Sequence, residues 1–143
     1  MSLTTNHLNH SSWNYKYHIV FTPKYRKKQL FGLLRKDLKD VFHRLSHQKG
    51  CTIIEGFLMP DHVHMLISIP PKEAVSTIIG FLKGKSSIWV AQNINQKKRN
   101  FAGHKFWARG YFVSTVGVET EIVKKYIQNQ EKEDKRLDSL FDR

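Results

Sequence analysis

The chain has 143 residues, of which 24 are lysine or arginine and 12 are aspartate or glutamate, so its formal net charge is +12. This length predicts one domain over residues 1–143, and this charge predicts a polyanionic partner, with nucleic acid as the first candidate. No apolar run approaches the ~20 residues that cross a membrane. The polar segment 1–12 has no apolar core of a secretory signal and is expected to be flexible. The single cysteine, Cys51, excludes an internal disulfide and suits a reducing cytoplasm.

The first half of the chain switches between strand and helix patterns. Residues 13–22 alternate apolar and polar side chains and predict a first strand. A basic loop over residues 24–28 leads to an amphipathic helix predicted over residues 30–48. Residues 51–58 predict a second strand, and a proline-containing turn joins it to a third strand from His62, so these two strands form a hairpin.

The second half predicts a helix that begins at Pro70 and Pro71, a fourth strand over residues 105–115, and a C-terminal helix and tail over residues 118–143. The order strand, helix, strand, strand, helix, strand is that of the split βαβ pattern. We therefore predict an α+β, ferredoxin-like βαββαβ fold, an antiparallel sheet with two helices on one face, plus the C-terminal helix. In such a fold the first and third strands are central neighbours.

Two histidines on the third strand form the first candidate site. Alternation places His62 and His64 on one face, while the row that begins with Val63 is apolar and faces the core. Two imidazoles on one face of a strand can offer two nitrogen ligands to one metal ion, although a chance His-x-His among eight histidines is the alternative. His18, on the first strand, shares this open face. Asp61 contacts the metal or closes the turn, and we favour the turn.

The C-terminal helix carries the second candidate site. Tyr126 and Gln130 are four residues apart and therefore lie on one face. Beyond Ile127 the helix is nearly all polar or charged, so it has little apolar surface with which to pack on its own domain. A lone tyrosine in such a helix is ordinarily a half-buried packing residue with a solvated hydroxyl.

The two sites together resemble a known family. A strand with His-hydrophobe-His, followed by a helix with Tyr-x-x-x-Gln, resembles the HUH superfamily of single-strand DNA nucleases, and within it the small single-tyrosine transposases of insertion sequences. The matching segments are residues 62–64 and 126–130, and the flanks 17–26 and 56–61 are also similar to that family. The resemblance covers essentially the whole chain in order and length.

The resemblance implies a metal site, a reaction and an assembly. His62, His64 and Gln130 would hold one divalent ion, Mg²⁺ or Mn²⁺. Tyr126 would attack a phosphate of single-stranded DNA with hairpin ends, form a 5′-phosphotyrosine and free a 3′-hydroxyl, and a second strand end would reverse the step. The family works as a homodimer in which the tyrosine helix of one subunit completes the histidine site of the other, and Gly117 offers a hinge for this exchange. We expect a cytoplasmic, nucleoid-associated protein.

Basic and aromatic side chains are the candidates for DNA binding. The candidates for phosphate contacts are Lys24, Arg26, Lys27, Lys28, Lys83, Lys85, Arg109 and the cluster 97–99. The candidates for stacking on bases are Trp89, Phe106, Trp107 and Tyr111. Core packing is the alternative for each aromatic residue, and we favour it for Trp89 and Phe106.

Three other interpretations use the same features. A domesticated relative that processes repeated palindromic elements of a host genome would use the same residues. A non-catalytic module that binds RNA would explain the sheet and the charge, but the open face of the first strand carries histidine and lysine instead of aromatic residues. A zinc hydrolase would need a third strong ligand at a suitable spacing from the histidines, which the sequence does not supply.

Overall fold

The structure is a computed structural model and describes residues 6–8, 11–13, 15–93, 106–117 and 119–141. Two short strands come first, β1 (Asn6–Leu8) and β2 (Ser11–Trp13), which pair with each other as an antiparallel ladder. The remaining strands are β3 (Lys16–Phe21), β4 (Thr52–Leu58), β5 (Val63–Ser68) and β6 (Phe112–Ser114). The helices are α1 (Lys28–Gln48), α2 (Val75–Asn93) and α3 (Thr120–Phe141), and a 3₁₀ turn (Tyr25–Lys27) precedes α1.

The main sheet has four strands in the order β4-β5-β3-β6, and each neighbouring pair is antiparallel. The central pair, β3 and β5, consists of the first and third strands predicted from the sequence. This order is the ferredoxin-like one, so the predicted α+β fold is confirmed. Among the described residues, no helix is both long and apolar enough to cross a membrane.

The core lies between one face of the sheet and helices α1 and α2. In β5 the side chains of Val63, Met65 and Ile67 are at most 1% exposed, as the alternating pattern predicts. They pack against apolar side chains of both helices: Phe31, Leu38, Val41, Phe42, Leu45, Ile78, Ile79, Leu82 and Val90. The opposite face of the sheet is left for α3 and for the histidines.

A β-bulge in β4 decides which of its side chains face the histidines. The pairing with β5 shifts register between Ile53 and Glu55, so that Ile53 stays on the core face while Phe57 lies directly opposite His64. Strict alternation would place Ile53, Glu55 and Phe57 on one face. The extra residue, Ile54, therefore turns Phe57 to the open face of the sheet.

Three predicted elements have a boundary that differs from the structure by three residues or more. The first strand begins at Lys16 instead of residue 13, because Ser11–Trp13 pairs with Asn6–Leu8, so segment 1–12 contains paired strand residues and its flexibility stays a prediction. The predicted strand 105–115 is shortened to Phe112–Ser114, since Gly110 has a φ of +83°, outside the strand region. Helix α2 begins at Val75, four residues after Pro71, because a turn from Pro70 intervenes.

Candidate active site

The histidines predicted as metal ligands lie at the start of β5, on the open face of the sheet. His64 lies opposite Val20 of β3, and its Nε2 atom is 3.4 Å from Nδ1 of His18. His62 immediately precedes β5, and its Nδ1 atom is 2.7 Å from Oδ1 of Asp61. The structure thus places His18 beside His64 and Asp61 beside His62.

The two imidazoles have different surroundings. The carboxylate of Asp61 accepts a hydrogen bond from Nδ1 of His62, and such a contact fixes the ring of a metal-binding histidine with Nε2 as the atom that faces the ion. Burial lowers the pKa of His64, the charges of His18 and His62 lower it further, and Glu55 opposes this weakly. A neutral imidazole is the form that binds a metal ion.

The third predicted ligand lies elsewhere. Gln130 donates a hydrogen bond from Nε2 to the carbonyl oxygen of Arg109, over 2.5 Å, and lines a hollow with Lys24 and Asp134 that has no histidine in its lining. Within the part of the chain that the structure describes, no three histidine, cysteine, aspartate or glutamate side chains form a group that could hold a metal ion. The histidine pair therefore fits a divalent ion as part of a ligand set, and one chain in this arrangement leaves that set incomplete.

A cleft of about 420 Å³ opens beside the histidine pair. Its sheet side is formed by Phe57, Met59, Asp61, His62 and His64, and its helix side by Thr120, Val123, Lys124 and Ile127. Helix α3 thus lies over the open face of the sheet, on the side away from α1 and α2. This volume is within the range of small-molecule sites and can hold a nucleotide unit.

Tyr126 lies on α3 but does not line this cleft. Its ring centroid is 5.8 Å from that of Phe112, and its hydroxyl is buried without a hydrogen-bond partner among the described residues. This burial raises the pKa of Tyr126 to about 12. A desolvated, protonated phenol is a weak nucleophile. The structure therefore shows Tyr126 in a protected position.

Three acidic residues recur on one face of α3 at positions i, i+3 and i+7, and we call them the acidic stripe: Glu131, Asp134 and Asp138. They bind the basic loop that the sequence analysis assigned to DNA. Glu131 is 2.9 Å from Nζ of Lys28, and Asp138 is 2.9 Å from Nε of Arg26. Asp134 accepts a hydrogen bond from the backbone N–H of Tyr25 over 2.7 Å.

Asp134 is the buried member of the acidic stripe. Asp134 is only 7% exposed, and this burial raises the pKa of its carboxyl group. The hydrogen bond from the backbone N–H of Tyr25 opposes the shift. A buried carboxylate needs such a partner, since an unpaired one would be costly. The spacing of the acidic stripe is visible in the sequence, but its partners are about a hundred residues away, and our sequence analysis missed it.

The other residues predicted to contact phosphates differ in their exposure and in their contacts. Lys83 is half-buried and donates hydrogen bonds to the carbonyl oxygens of Ala108 and Gly110, each over 2.8 Å, and burial lowers its pKa to about 8. It therefore fixes the loop before β6. Lys85 and Arg109 are exposed, and the half-buried residues Lys24 and Lys27 lie at the 3₁₀ turn. Residues 97–99 lie outside the described residues.

The aromatic candidates belong to the core. Phe106 is fully buried, and Trp107 is 4% exposed and donates its Nε1–H to Oγ of Ser86, so a stacking role was a wrong prediction for Trp107. Trp89 and Tyr111 pack partly buried against the same core, which confirms the packing interpretation of Trp89. The aromatic residue that does stand in the cleft is Phe57, which is 51% exposed and which the sequence analysis did not consider.

Sequence comparisons identify relatives along most of the chain. A family described as "Transposase IS200 like" matches residues 11–130. The transposase for insertion sequence element IS200 of Salmonella typhimurium is 42% identical over 133 residues, which cover 93% of this chain and 88% of that protein. The ISDra2 transposase TnpA of Deinococcus radiodurans is 34% identical over 116 residues, which cover 80% of this chain and 83% of that protein.

Structural comparisons agree with this assignment. The crystal structure of a candidate transposase from Deinococcus radiodurans R1 matches with a TM-score of 0.74 and 27% identity, and the match covers 87% of this chain and 97% of that one. A REP-associated tyrosine transposase bound to a REP hairpin matches with a TM-score of 0.53 over 89% of this chain and 68% of that one, and its 12% identity shows a shared fold alone. The family resemblance found in the sequence is confirmed, and the chain belongs to the IS200-like family of single-tyrosine transposases.

Proposed function

We propose that this chain is a transposase that cleaves and rejoins single-stranded DNA at the ends of an insertion sequence. The observation that carries the proposal is the position of His62 and His64 on the open sheet face, beside a cleft whose other wall is the helix of Tyr126. The relatives are named as transposases of insertion sequences, and a protein of the same fold is bound to a hairpin. The chain has a net charge of +12, which favours binding to the phosphates of nucleic acid. We therefore propose DNA with hairpin ends as the substrate.

The proposed reaction is a transesterification at Tyr126. The phenolic oxygen attacks the scissile phosphorus, the bond from phosphorus to the 3′-oxygen breaks, and the proton of the phenol ends on the departing 3′-hydroxyl. The product is a 5′-phosphotyrosine, and a second 3′-hydroxyl reverses the same exchange of bonds. Each step replaces one phosphodiester by another, so no external energy source is needed.

His62 and His64 would hold Mg²⁺ or Mn²⁺, with Gln130 as the third ligand once α3 is differently placed. When bound, such an ion polarises a phosphate oxygen and stabilises the leaving oxygen. The residues of this chain prepare the site, since Asp61 orients the ring of His62 and burial keeps His64 neutral. Two neutral imidazoles and an amide leave the ion's charge uncompensated, which favours an anionic phosphate as a further ligand.

The protected position of Tyr126 supports a shared site in a homodimer, in which α3 of one subunit serves the histidines of its partner. Among the side chains of α3 that the structure describes, Val123 is the only buried hydrophobic one. The other contacts of α3 are largely polar, such as that of Gln130 with Arg109, and polar contacts at a surface exchange with water at little cost. A helix docked in this way can leave its own sheet.

The test is an adduct assay with purified protein, Mg²⁺ and an oligonucleotide that carries the hairpin of the element's end. We expect a covalent protein–DNA adduct on a denaturing gel. Tyr126→Phe and His64→Ala should each abolish it, while the distant, exposed substitution Leu33→Ala should leave it unchanged. Tight binding without an adduct in either metal would instead favour a non-catalytic binding module.

Complementation tests the shared site. A protein with His62→Ala and His64→Ala keeps Tyr126, and a Tyr126→Phe protein keeps both histidines, so neither cleaves alone. If the sites are shared between subunits, about half of the dimers in an equal mixture combine the two variants, and one of the two sites in each of these is intact. Mixing should then restore about a quarter of the wild-type adduct. Mixed dimers that stay inactive after verified subunit exchange would show that each chain uses its own α3.

A further inference from the structure

We propose that Phe57 is a stacking platform for one base of the DNA strand held at the histidine pair, an inference that rests on the function proposed above. Phe57 is 51% exposed, although it belongs to a strand of the main sheet. The neighbouring residues on the core face of that strand, Ile53 among them, are packed against the helices. What distinguishes Phe57 from the other exposed hydrophobic residues is its place in the cleft beside the histidines, where an aromatic face can stack on a base.

The position of the ring ties it to the histidine site. Phe57 lies directly opposite His64 in the pairing of β4 with β5, and the two ring centroids are 6.3 Å apart at an interplanar angle of 65°. Both side chains, with His62, line the same cleft. A phosphate at the histidines therefore brings the base of an adjacent nucleotide within reach of the exposed face of Phe57.

The rest of the cleft has the chemistry of a single-strand site. Lys124 stands on the helix wall with a side chain that is 64% exposed, and its ion pair with Glu121 is a long one of 3.9 Å. Met59, 44% exposed, extends the apolar surface next to Phe57. A basic group for the backbone and an aromatic face for a base are the two elements by which proteins hold single strands without reading their sequence.

The backbone is shaped so that the ring points to this cleft. The β-bulge at Ile54 moves Phe57 from the core face to the open face. Bulges recur next to active sites, where they redirect a side chain. The alternation without a bulge would have buried the ring, so the exposure of Phe57 follows from a specific irregularity and not from a shortage of core space.

The experiment uses the full chain with Tyr126→Phe, so that binding is not followed by cleavage, and an oligonucleotide with the element's end hairpin and its single-stranded flank. Each flank nucleotide is replaced in turn by an abasic one, and affinity is measured by fluorescence anisotropy. Phe57→Ala should weaken binding roughly 5- to 150-fold, the range of base–aromatic stacking, and one abasic position should weaken it equally. Phe57→Ala measured on the oligonucleotide with that abasic position should weaken binding no further, because both changes remove the same stacking contact.

Matched variants distinguish aromatic stacking from the effect of apolar volume and from a loss of folding. Phe57→Tyr keeps the ring and should retain the affinity, whereas Phe57→Leu keeps apolar bulk without the aromatic face and should lose most of it. Tyr15→Ala removes an aromatic side chain of similar exposure, 50%, at the opposite end of the sheet, and should have no effect. Thermal melts of all variants show whether each is folded.

Two results would overturn the inference. Losses that add at every abasic position would show that Phe57 contacts no particular base. A change in oligomeric state in Phe57→Ala, without dependence on any base, would make the cleft a subunit interface. The adduct assay with the wild-type chain keeps this inference separate from the proposed function, since an adduct together with an inert Phe57 removes only the stacking platform.

Discussion

The hydroxyl of Tyr126 has lost its contact with water without gaining a hydrogen-bond partner among the described residues. Leaving a buried hydroxyl unpaired costs about 1–3 kcal/mol. The ring itself is well accommodated, because it packs beside Phe112. A phenylalanine would satisfy this position equally well as a packing residue, so the hydroxyl adds no stability in this arrangement, as the catalytic role proposed above would require.

Tyr126→Phe should therefore raise the melting temperature while it abolishes the adduct. A gain of about 1 kcal/mol corresponds to roughly 3–6 °C for a chain of this size. Differential scanning calorimetry measures the shift, and Tyr15→Phe, at a half-exposed position, is the control that should show none. A lower melting temperature in Tyr126→Phe would mean that its hydroxyl has a stabilising partner.

The same burial predicts an alkaline titration of Tyr126. Its pKa of about 12 in the folded chain lies above the ordinary value of 10.0, so the neutral phenol favours the folded state. This contribution is complete below pH 10 and is lost as the pH rises through 12. The tyrosinate absorbance of the wild-type chain minus that of Tyr126→Phe should titrate near pH 12 while the chain stays folded. A midpoint near the ordinary value would show that the hydroxyl is solvated.

At the scale of elements, α3 is held by side chains that an isolated helix would leave in water. The acidic stripe meets the 3₁₀ turn, and Asp134 receives a backbone hydrogen bond from Tyr25. The two flanking ion pairs are partly exposed and contribute little on their own. The hydrogen bond to Asp134 is the more specific contact, because it joins a backbone N–H to the carboxylate of a buried residue and so ties α3 to the 3₁₀ turn two turns after Tyr126.

Asp134→Ala should loosen α3 without unfolding the sheet. The change leaves the N–H of Tyr25 without its acceptor and costs about 1–3 kcal/mol of docking free energy. Hydrogen exchange should show faster exchange of the α3 amides, with β3 and β5 unchanged. Asp134→Asn keeps an acceptor and should be milder, and Glu133→Ala, which breaks only an exposed pair with Arg136 inside α3, should leave exchange unaltered. Equal effects of the alanine and asparagine variants would point to the charge instead of the hydrogen bond.

At the scale of the whole molecule, the positive charge is partly covered by the chain's own helix. The net charge is +12, yet Lys28 and Arg26 of the basic loop are paired with the acidic stripe. In the function proposed above, DNA phosphates and α3 would compete for these cations. Movement of α3 would both free these cations and expose Tyr126.

Neutralising the outer members of the acidic stripe, with Glu131→Gln and Asp138→Asn, should strengthen the binding of a single-stranded oligonucleotide. Two additional phosphate contacts would steepen the slope of log affinity against log salt by about 1.4. The control, Asp37→Asn with Asp40→Asn, makes the same change in net charge on exposed positions of α1. Equal effects of the two pairs would show that only the total charge matters.

The sequence by itself determined the order of the elements from β3 to α3, the faces of β3 and β5, and the two candidate sites. These features depend on short periods, two residues in β5 and four in α3, which are set by local backbone geometry. The alternation around His62 and His64, and the spacing from Tyr126 to Gln130, could therefore be predicted without the fold.

Only the tertiary structure decided how these parts meet. The bulge that exposes Phe57 depends on the pairing of β4 with β5. A shift of one residue in this pairing moves every later side chain of the strand to the opposite face of the sheet. The partners of Gln130 and of the acidic stripe lie far away along the chain, at Arg109 and at the 3₁₀ turn. Such contacts are settled when α3 docks on the sheet, because no local pattern records which distant surface a polar helix will bind.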